Sequence, residues 1–459
     1  MAGMGFELKK IFTKESRTVQ NLRVLHSSLT TLGAGLVFVV LLFALGNLLN
    51  ALGAYGWQKE FLFVSFTYIS LMGILISSVV NSVLSRYVSD LIIGEKESQV
   101  CASMFGSMIL CTIVSALVMG GFCFVLWRSG TGDLTRLILC YGFGIVWTLS
   151  HNVMVYASAL KKSGAVIFSC IAGTLVFGGV MYVAYGVAPT HILQGMYLAL
   201  ICGLFVVDLT LVCIVRKALG APDENYFTFC GYFEKHAFLW GSGLFFFLGL
   251  FLSNILYWYF SEMSVKMAGV FMAPSYDMSV FMLFLCNMPG LFLFEYVFRK
   301  QFYAKYNRYV TAVEEGGFAV IDRENVTLQK AVNMMLIFLY GMQLVISVIF
   351  VGLSGTWRET GGVLAESVVK ILPLEIGVAF VFCMYYTITL FCYFSGYKES
   401  FLVSVLFAVI VSGVAIYCCM VAKDMYSLPL LVGGCSGWLI AFLLLKNRLK
   451  DLNAYMLCK

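Results

Sequence analysis

Four carboxylates stand inside long apolar runs: Asp208 in VVDLT, Asp277 in PSYDMSVF, Glu295 in FLFEYVF, and Glu375 two residues after Pro373. A charge inside a bilayer is costly unless it faces a wet cavity or a partner, so each is a candidate for ion or substrate chemistry. Such a carboxylate can bind a cation, take up a proton, or accept hydrogen bonds from sugar hydroxyls. Asp277 is the best placed, beside Tyr276 and three residues after Pro274. The same run continues to Glu295 through Pro289 and Gly290, and Pro274, Pro289 and Gly290 are read as kink positions, since proline frees a backbone carbonyl and bends a helix. The competing reading makes Asp277 a helix-end residue anchored at the outer interface by Tyr276. Glu295 and Glu375 can likewise reach headgroup level. Asn81, Asn254 and Asn287 suit hydrogen bonds between helices better than ligand binding.

Other chemistries find little support. His151, next to Asn152, is the one histidine in mid-span, the position a membrane-embedded acyltransferase would use for its base, but no catalytic constellation accompanies it. Walker A, GxSxG and HExxH sequences are absent, and no cofactor motif is present. The fifteen cysteines form no CxxC pair and no Cys/His cluster of metal-ligand spacing, so they read as apolar packing residues and neither a metal nor a disulfide framework is expected.

The elements that must position these residues are membrane helices. The chain has 459 residues, 61% hydrophobic and only 12% charged, which excludes a soluble protein of this length. Apolar blocks long enough to cross a bilayer must be helical, because hydrocarbon satisfies no backbone polar group. Twelve spans are predicted, at 25–50, 61–84, 101–127, 134–158, 164–187, 191–215, 238–260, 269–298, 331–353, 372–395, 399–422 and 428–445. The expected fold class is an all-α polytopic membrane protein with about twelve transmembrane helices in two six-helix bundles.

Charge placement orients the bundle. With twelve spans, 23 of the 30 Lys and Arg residues fall on the side of both termini and seven on the other, which by the positive-inside rule makes both termini cytoplasmic. The basic segment 1–24 is read as a cytoplasmic tail, not a cleaved signal. Residues 25–215 form the first bundle, 216–237 a cytoplasmic connector, 238–445 the second bundle with a helical cytoplasmic extension at 299–330, and 446–459 a cytoplasmic tail. Phe302, Tyr303, Tyr306 and Tyr309 recur at helical spacing in that extension and are candidates for docking a cytoplasmic partner; a solvated stalk is the plainer reading. Lys and Arg are dispersed among short loops, so no nucleic-acid partner is expected.

Several strings carry a resemblance. The opening MAGMGFELKKIF, the segment SRYVSDLIIGEKESQV with Arg86, Tyr87 and Asp90, the Tyr276-Asp277 and Pro289-Gly290 pairs, and FYAKYNRY from Phe302 to Tyr309 resemble the Pel exopolysaccharide transporter family. There are departures. Where that family often has an Asp-Lys pair before a Trp, this chain has Ser253 and Asn254 before Trp258; acidic residues usual near the stalk and helix ten are replaced by Arg299-Lys300 and Ser395. The resemblance implies a V-shaped exporter fold of the multidrug/oligosaccharidyl-lipid/polysaccharide (MOP) type in the bacterial cytoplasmic membrane. It also implies export of an amino-sugar-rich polysaccharide for biofilm matrix, with a cytoplasmic glycosyltransferase, a membrane-bound cyclic-di-GMP-sensing subunit and other complex subunits as partners. Arg86 and Asp90 join the pathway candidates on this ground alone. A cation-coupled flippase or antiporter for lipid-linked oligosaccharides or small amphiphiles is the alternative, and an integral-membrane transferase the second.

Overall fold

The computed structural model describes residues 48–49, 51–94, 96–130, 133–160, 163–359 and 371–457. Among them are eleven helices long and apolar enough to cross a membrane. The span predicted at 25–50 lies almost wholly outside the described residues, as does the segment 1–24.

In chain order the first helices are α1 (Gly56–Ile93), α2 (Glu97–Arg128), α3 (Leu134–Ala159), α4 (Ser163–Val187) and α5 (Ile192–Leu219). A short turn α6 (Gly231–Lys235) leads into α7 (Ala237–Phe260), and a small hairpin of β1 (Val265–Met267) and β2 (Val270–Met272) follows. Then come α8 (Pro274–Val297), a π-helical turn at Phe298–Phe302, α9 (Tyr303–Glu315) and α10 (Phe318–Glu359). The chain closes with α11 (Ile371–Tyr393), α12 (Tyr397–Met420), α13 (Leu428–Lys450) and α14 (Leu452–Leu457).

Two boundaries differ from the sequence expectation, each for a local reason. The eighth span begins at Pro274, because 265–272 turns back on itself through Ala268 and Gly269, both at positive φ (44° and 85°). Pro274 therefore sits at the first helical position, where its missing N–H costs nothing, and it is no kink; Pro289 alone lies inside the helix. The connection 299–330 is helical almost throughout, as expected, but it breaks at Gly316-Gly317 and its second part is continuous with the ninth span, so α10 begins at Phe318 and runs 42 residues. At about 1.5 Å per residue it is roughly twice as long as the ~30 Å hydrocarbon core requires.

The chain divides into two compact units. One holds the described residues up to Phe247 with Lys266–Met272; the other holds Leu248–Val265 and everything from Ala273 on. In the first unit Leu84, Tyr87, Val88, Cys101, Met104, Tyr156 and Phe229 form a common core. In the second, α11 is the central helix: 72% of its apolar window is buried, against 22% for α4 of the first. Close approach around α11 depends on small residues, since a Cβ at Gly377 would strike the backbone of Leu430 and Leu431, as membrane helices pack without a hydrophobic driving force.

Candidate functional site

Asp277 occupies the first turn of α8 and is only 6% exposed. Its Oδ1 accepts from Asn254 Nδ2 at 2.7 Å and Trp258 Nε1 at 3.0 Å; its Oδ2 accepts from the same indole at 2.9 Å and from the Ala273 backbone N–H at 3.2 Å. Ser253, Asn254, Tyr257 and Trp258 are spaced to share one face of α7, which turns toward α8. Tyr276 completes the contact, donating to Ser253 Oγ at 2.9 Å and packing edge-on against Tyr257 at 4.7 Å. Neutral donors and the positive end of a helix dipole thus surround Asp277, so it needs no cation nearby. The Ser253-Asn254 departure supplies part of this donor set.

Deeper in the same unit lies a second network. Glu375, fully buried on α11, accepts from Asn287 Nδ2 of α8 at 2.9 and 3.0 Å. Asn287 Oδ1 in turn accepts from Gln343 Nε2 at 2.5 Å and Ser347 Oγ at 3.3 Å on α10. Gln343 Oε1 accepts from Tyr386 OH at 2.7 Å, returning to α11 eleven residues beyond Glu375. Gly290 is required here, because a Cβ would overlap Gln343 Oε1 and approach Tyr386 OH to 2.6 Å. Among the described residues no Lys, Arg or His forms an ion pair with Glu375. Gln343 and Tyr386 were not singled out in the sequence; the signal was a glutamine inside the apolar run YGMQLVIS.

Glu295 is different. It pairs with Arg299 one turn on, Arg299 Nε donating to its Oε1 at 2.8 Å, and both residues are buried. The departure at Arg299 is therefore the partner of a carboxylate already inside the span. Around it runs an aromatic ladder: Phe294 stacks on Tyr386 at 4.8 Å, Phe298 packs tilted against Phe302 at 4.6 Å, and Phe302 stacks on Tyr306 at 5.3 Å. Tyr306 OH donates to the Tyr393 carbonyl and Tyr309 OH to Asn453 Oδ1. Phe302, Tyr303 and Tyr309 are buried and Tyr306 is half-buried. These four are internal packing of the stalk, and three of them offer a partner no surface.

In the first unit Asp208 on α5 is 6% exposed; Ser150 Oγ of α3 donates to its Oδ2 at 2.9 Å, while Oδ1 has no hydrogen-bond partner among the described residues. The neighbouring positions of α3 face other helices. Asn81 Nδ2 donates to the His151 carbonyl at 3.1 Å, and Asn152 Oδ1 accepts from Ser107 Oγ at 3.0 Å. His151 Nδ1 lies 2.9 Å from the Trp147 carbonyl, which fixes it as the protonated nitrogen. Arg86 and Asp90 pair at 3.0 Å beyond the apolar part of α1, where Tyr232 OH donates to Asp90 Oδ2 at 3.4 Å. Tyr87 packs edge-on against Tyr232 at 4.9 Å. This motif holds the connector 220–236 onto the end of α1 and lies apart from the buried Asp208.

The polar residues thus gather into an Asp277 cluster, a Glu375 network, a Glu295–Arg299 pair, and Asp208 alone with Ser150, all within helices of a polytopic bundle. The model of the PelG exopolysaccharide exporter family (EPS-E) matches residues 1–456. The chain belongs to this family. A search of curated protein sequences finds no match. Among solved structures, the chain resembles an outward-facing multidrug-resistance MATE family transporter of the MOP superfamily, with TM-score 0.63 and 11% identity over 96% of this chain and 100% of that one. A MOP superfamily transporter from Pyrococcus furiosus gives 0.60 at 12% identity, covering 96% and 99%. An inward-facing MATE family transporter gives 0.57 at 11% identity, covering 99% of both chains. At such identities the likeness is one of fold. Family and fold are those of transporters, and the chain is a multi-pass membrane protein.

Proposed function

We propose that this chain exports a Pel-like, amino-sugar-rich exopolysaccharide across the bacterial cytoplasmic membrane, as the membrane passage of a synthase complex that builds biofilm matrix. The observation that carries the reading is the match to the exopolysaccharide exporter family along nearly the whole chain. Partners in this reading are the cytoplasmic glycosyltransferase that makes the polymer and a membrane-bound cyclic-di-GMP-sensing subunit. Both termini are cytoplasmic, consistent with the Lys/Arg distribution. Glu375, Asp277 and Asp208 are the carboxylates on which coupling or substrate contact rests, since none has a cationic partner among the described residues. Substituting Glu375→Gln or Asp277→Asn keeps most hydrogen bonds; the expected result is a folded protein with surface polymer reduced several-fold. Unchanged secretion by both variants would remove these carboxylates from the mechanism.

A second reading, a cation-coupled flippase or antiporter for lipid-linked oligosaccharides or small amphiphiles, is favoured by the MATE-like fold together with the uncompensated Asp208. It predicts that surface polymer is indifferent to loss of the chain, while efflux of an amphiphile depends on it.

A further inference from the structure

The buried carboxylates are not equally supplied with donors. Asp277 accepts from an amide, an indole and a backbone N–H, Glu375 accepts from an amide through both oxygens, and Glu295 has an arginine. Asp208 has one hydroxyl, and its Oδ1 has no hydrogen-bond partner among the described residues. It lies sixteen residues into α5 and eleven before its end, roughly 24 and 16 Å from the two ends of the helix. Its surroundings are apolar. Val153 and Ala157 continue the face of α3 on which Ser150 stands, Leu211 follows Asp208 by one turn of α5, and Val166 and Val207 complete the cluster.

Ser150 decides what this carboxylate is suited to hold. Its Oγ lies 2.9 Å from Asp208 Oδ2 and 3.0 Å from the Val146 carbonyl, so two acceptors face a hydroxyl that has one proton. With Asp208 ionised, that proton serves one acceptor and the other contact sets oxygen against oxygen. With a proton on Oδ2, Asp208 donates to Ser150 Oγ and Ser150 donates to the Val146 carbonyl, so both contacts are hydrogen bonds. The neutral acid also removes a charge from the hydrocarbon. A metal ion is poorly served, because hard cations take about six oxygen ligands and this cage offers a carboxylate, one hydroxyl and one helix carbonyl. No counter-ion stands by either. On α3, His151 Nδ1 turns to the Trp147 carbonyl and Tyr156 OH meets Ser103 and Ser107 of α2. Cys170 of α4 packs on the apolar cluster, Cys111 of α2 lies in the other core, and Arg216, eight residues along α5, is exposed.

We propose that Asp208 and Ser150 form a reversible proton-binding site, through which a proton and not a metal ion acts on the first unit. Uptake adds one proton to Oδ2 and breaks no covalent bond. It re-aims the Ser150 hydroxyl from Oδ2 to the Val146 carbonyl, so the protonation state resets a contact between α3 and α5. Asp277 and Glu295 are already supplied with donors in their ionised forms. The site rests on this geometry; its use in coupling to polymer export rests on the export reading.

The test is difference infrared spectroscopy of the purified full-length protein in lipid, titrated from alkaline to acidic buffer and repeated in heavy water. The expected result is the carbonyl stretch of a protonated carboxyl, lowered by deuterium, that grows on acidification, persists in Glu375→Gln and is missing from Asp208→Asn. Ser150→Ala removes the acceptor of the acid proton, so it is expected to move this band to higher frequency without abolishing it. That variant reads the site even where Asp208→Asn fails to fold. Sodium or potassium added at fixed pH is expected to leave the band in place. A band that Asp208→Asn retains, one that Ser150→Ala does not move, one that is constant across the titration, or one that sodium or potassium abolishes would each overturn the proposal. The band is read independently of secretion. If deleting the chain leaves surface polymer unchanged while the Asp208 band titrates, the export reading has failed and the proton site stands; secretion that depends on the chain without such a band fails the proton site alone.

Discussion

Glu375 and Asp277 illustrate two ways of keeping a carboxylate in hydrocarbon. Asp277 is saturated by an indole, an amide and a backbone N–H at a helix start. Glu375 accepts from the Asn287 amide, which is itself positioned by Gln343 and Ser347. Replacing Glu375 with Leu strips Asn287 of an acceptor in a buried site, which costs about 1–3 kcal/mol. Glu375→Gln restores an acceptor. The thermal unfolding midpoint in detergent is therefore expected to fall for the Leu variant and to stay near that of the unsubstituted protein for Gln, while both lose secretion. Glu295 and Arg299 give the complementary case. Arg299→Met alone leaves an unpaired buried charge and is expected to destabilise by about 3–5 kcal/mol, whereas Glu295→Met with Arg299→Met recovers most of the loss. Denaturation of the single and double variants beside the unsubstituted protein measures this.

At the scale of elements, the connector is as much a part of the first unit as its membrane helices are. A Cβ at Gly106 would overlap the Tyr226 carbonyl, and Asp223 N donates to Ser98 O at 3.3 Å, so the connector lies directly on α2. Gly106→Leu is expected to lift it off and to accelerate limited proteolysis between residues 220 and 236 several-fold; an unchanged cleavage rate would show that the contact is dispensable. Which elements were legible follows from the physics each used. Apolar runs forced α2, α3, α5 and α11 to within a few residues of their predicted limits. The start of α8 was missed because 269–273 is apolar enough for a helix, while the hairpin depends on the left-handed Gly269. The helical extension at 299–330 was legible from its aromatic residues at helical spacing; the break at Gly316-Gly317 that divides it into α9 and the start of α10 was not. Among site residues, carboxylates in apolar runs were visible one by one. Asn254 and Asn287 were legible as interhelical hydrogen-bonders, but Gln343, Tyr386 and Trp258 were not legible as partners, because they become polar ligands only when tertiary packing turns Trp258 toward Asp277, Gln343 toward Asn287 and Tyr386 toward Gln343.

At the scale of the molecule, the charge split makes a topological prediction. Val320→Cys, 42% exposed in the unsubstituted protein, is expected to react with an impermeant thiol reagent only in inverted vesicles, and Val265→Cys, 51% exposed, only in intact cells or spheroplasts. These labelling experiments use a background in which Cys213 and Cys230, the exposed cysteines among the described residues, and Cys458, which lies outside them, are replaced by serine. The reverse pattern would invert the whole assignment and place the connection between α9 and α10 outside. The central claim is export of a polysaccharide, and deletion of the chain in its host with the glycosyltransferase intact tests it most directly. Surface amino-sugar polymer and intracellular polymer are then measured with and without complementation. The account predicts loss of surface polymer, accumulation inside, and recovery of both on complementation. Unchanged surface polymer in the deletion strain would contradict it.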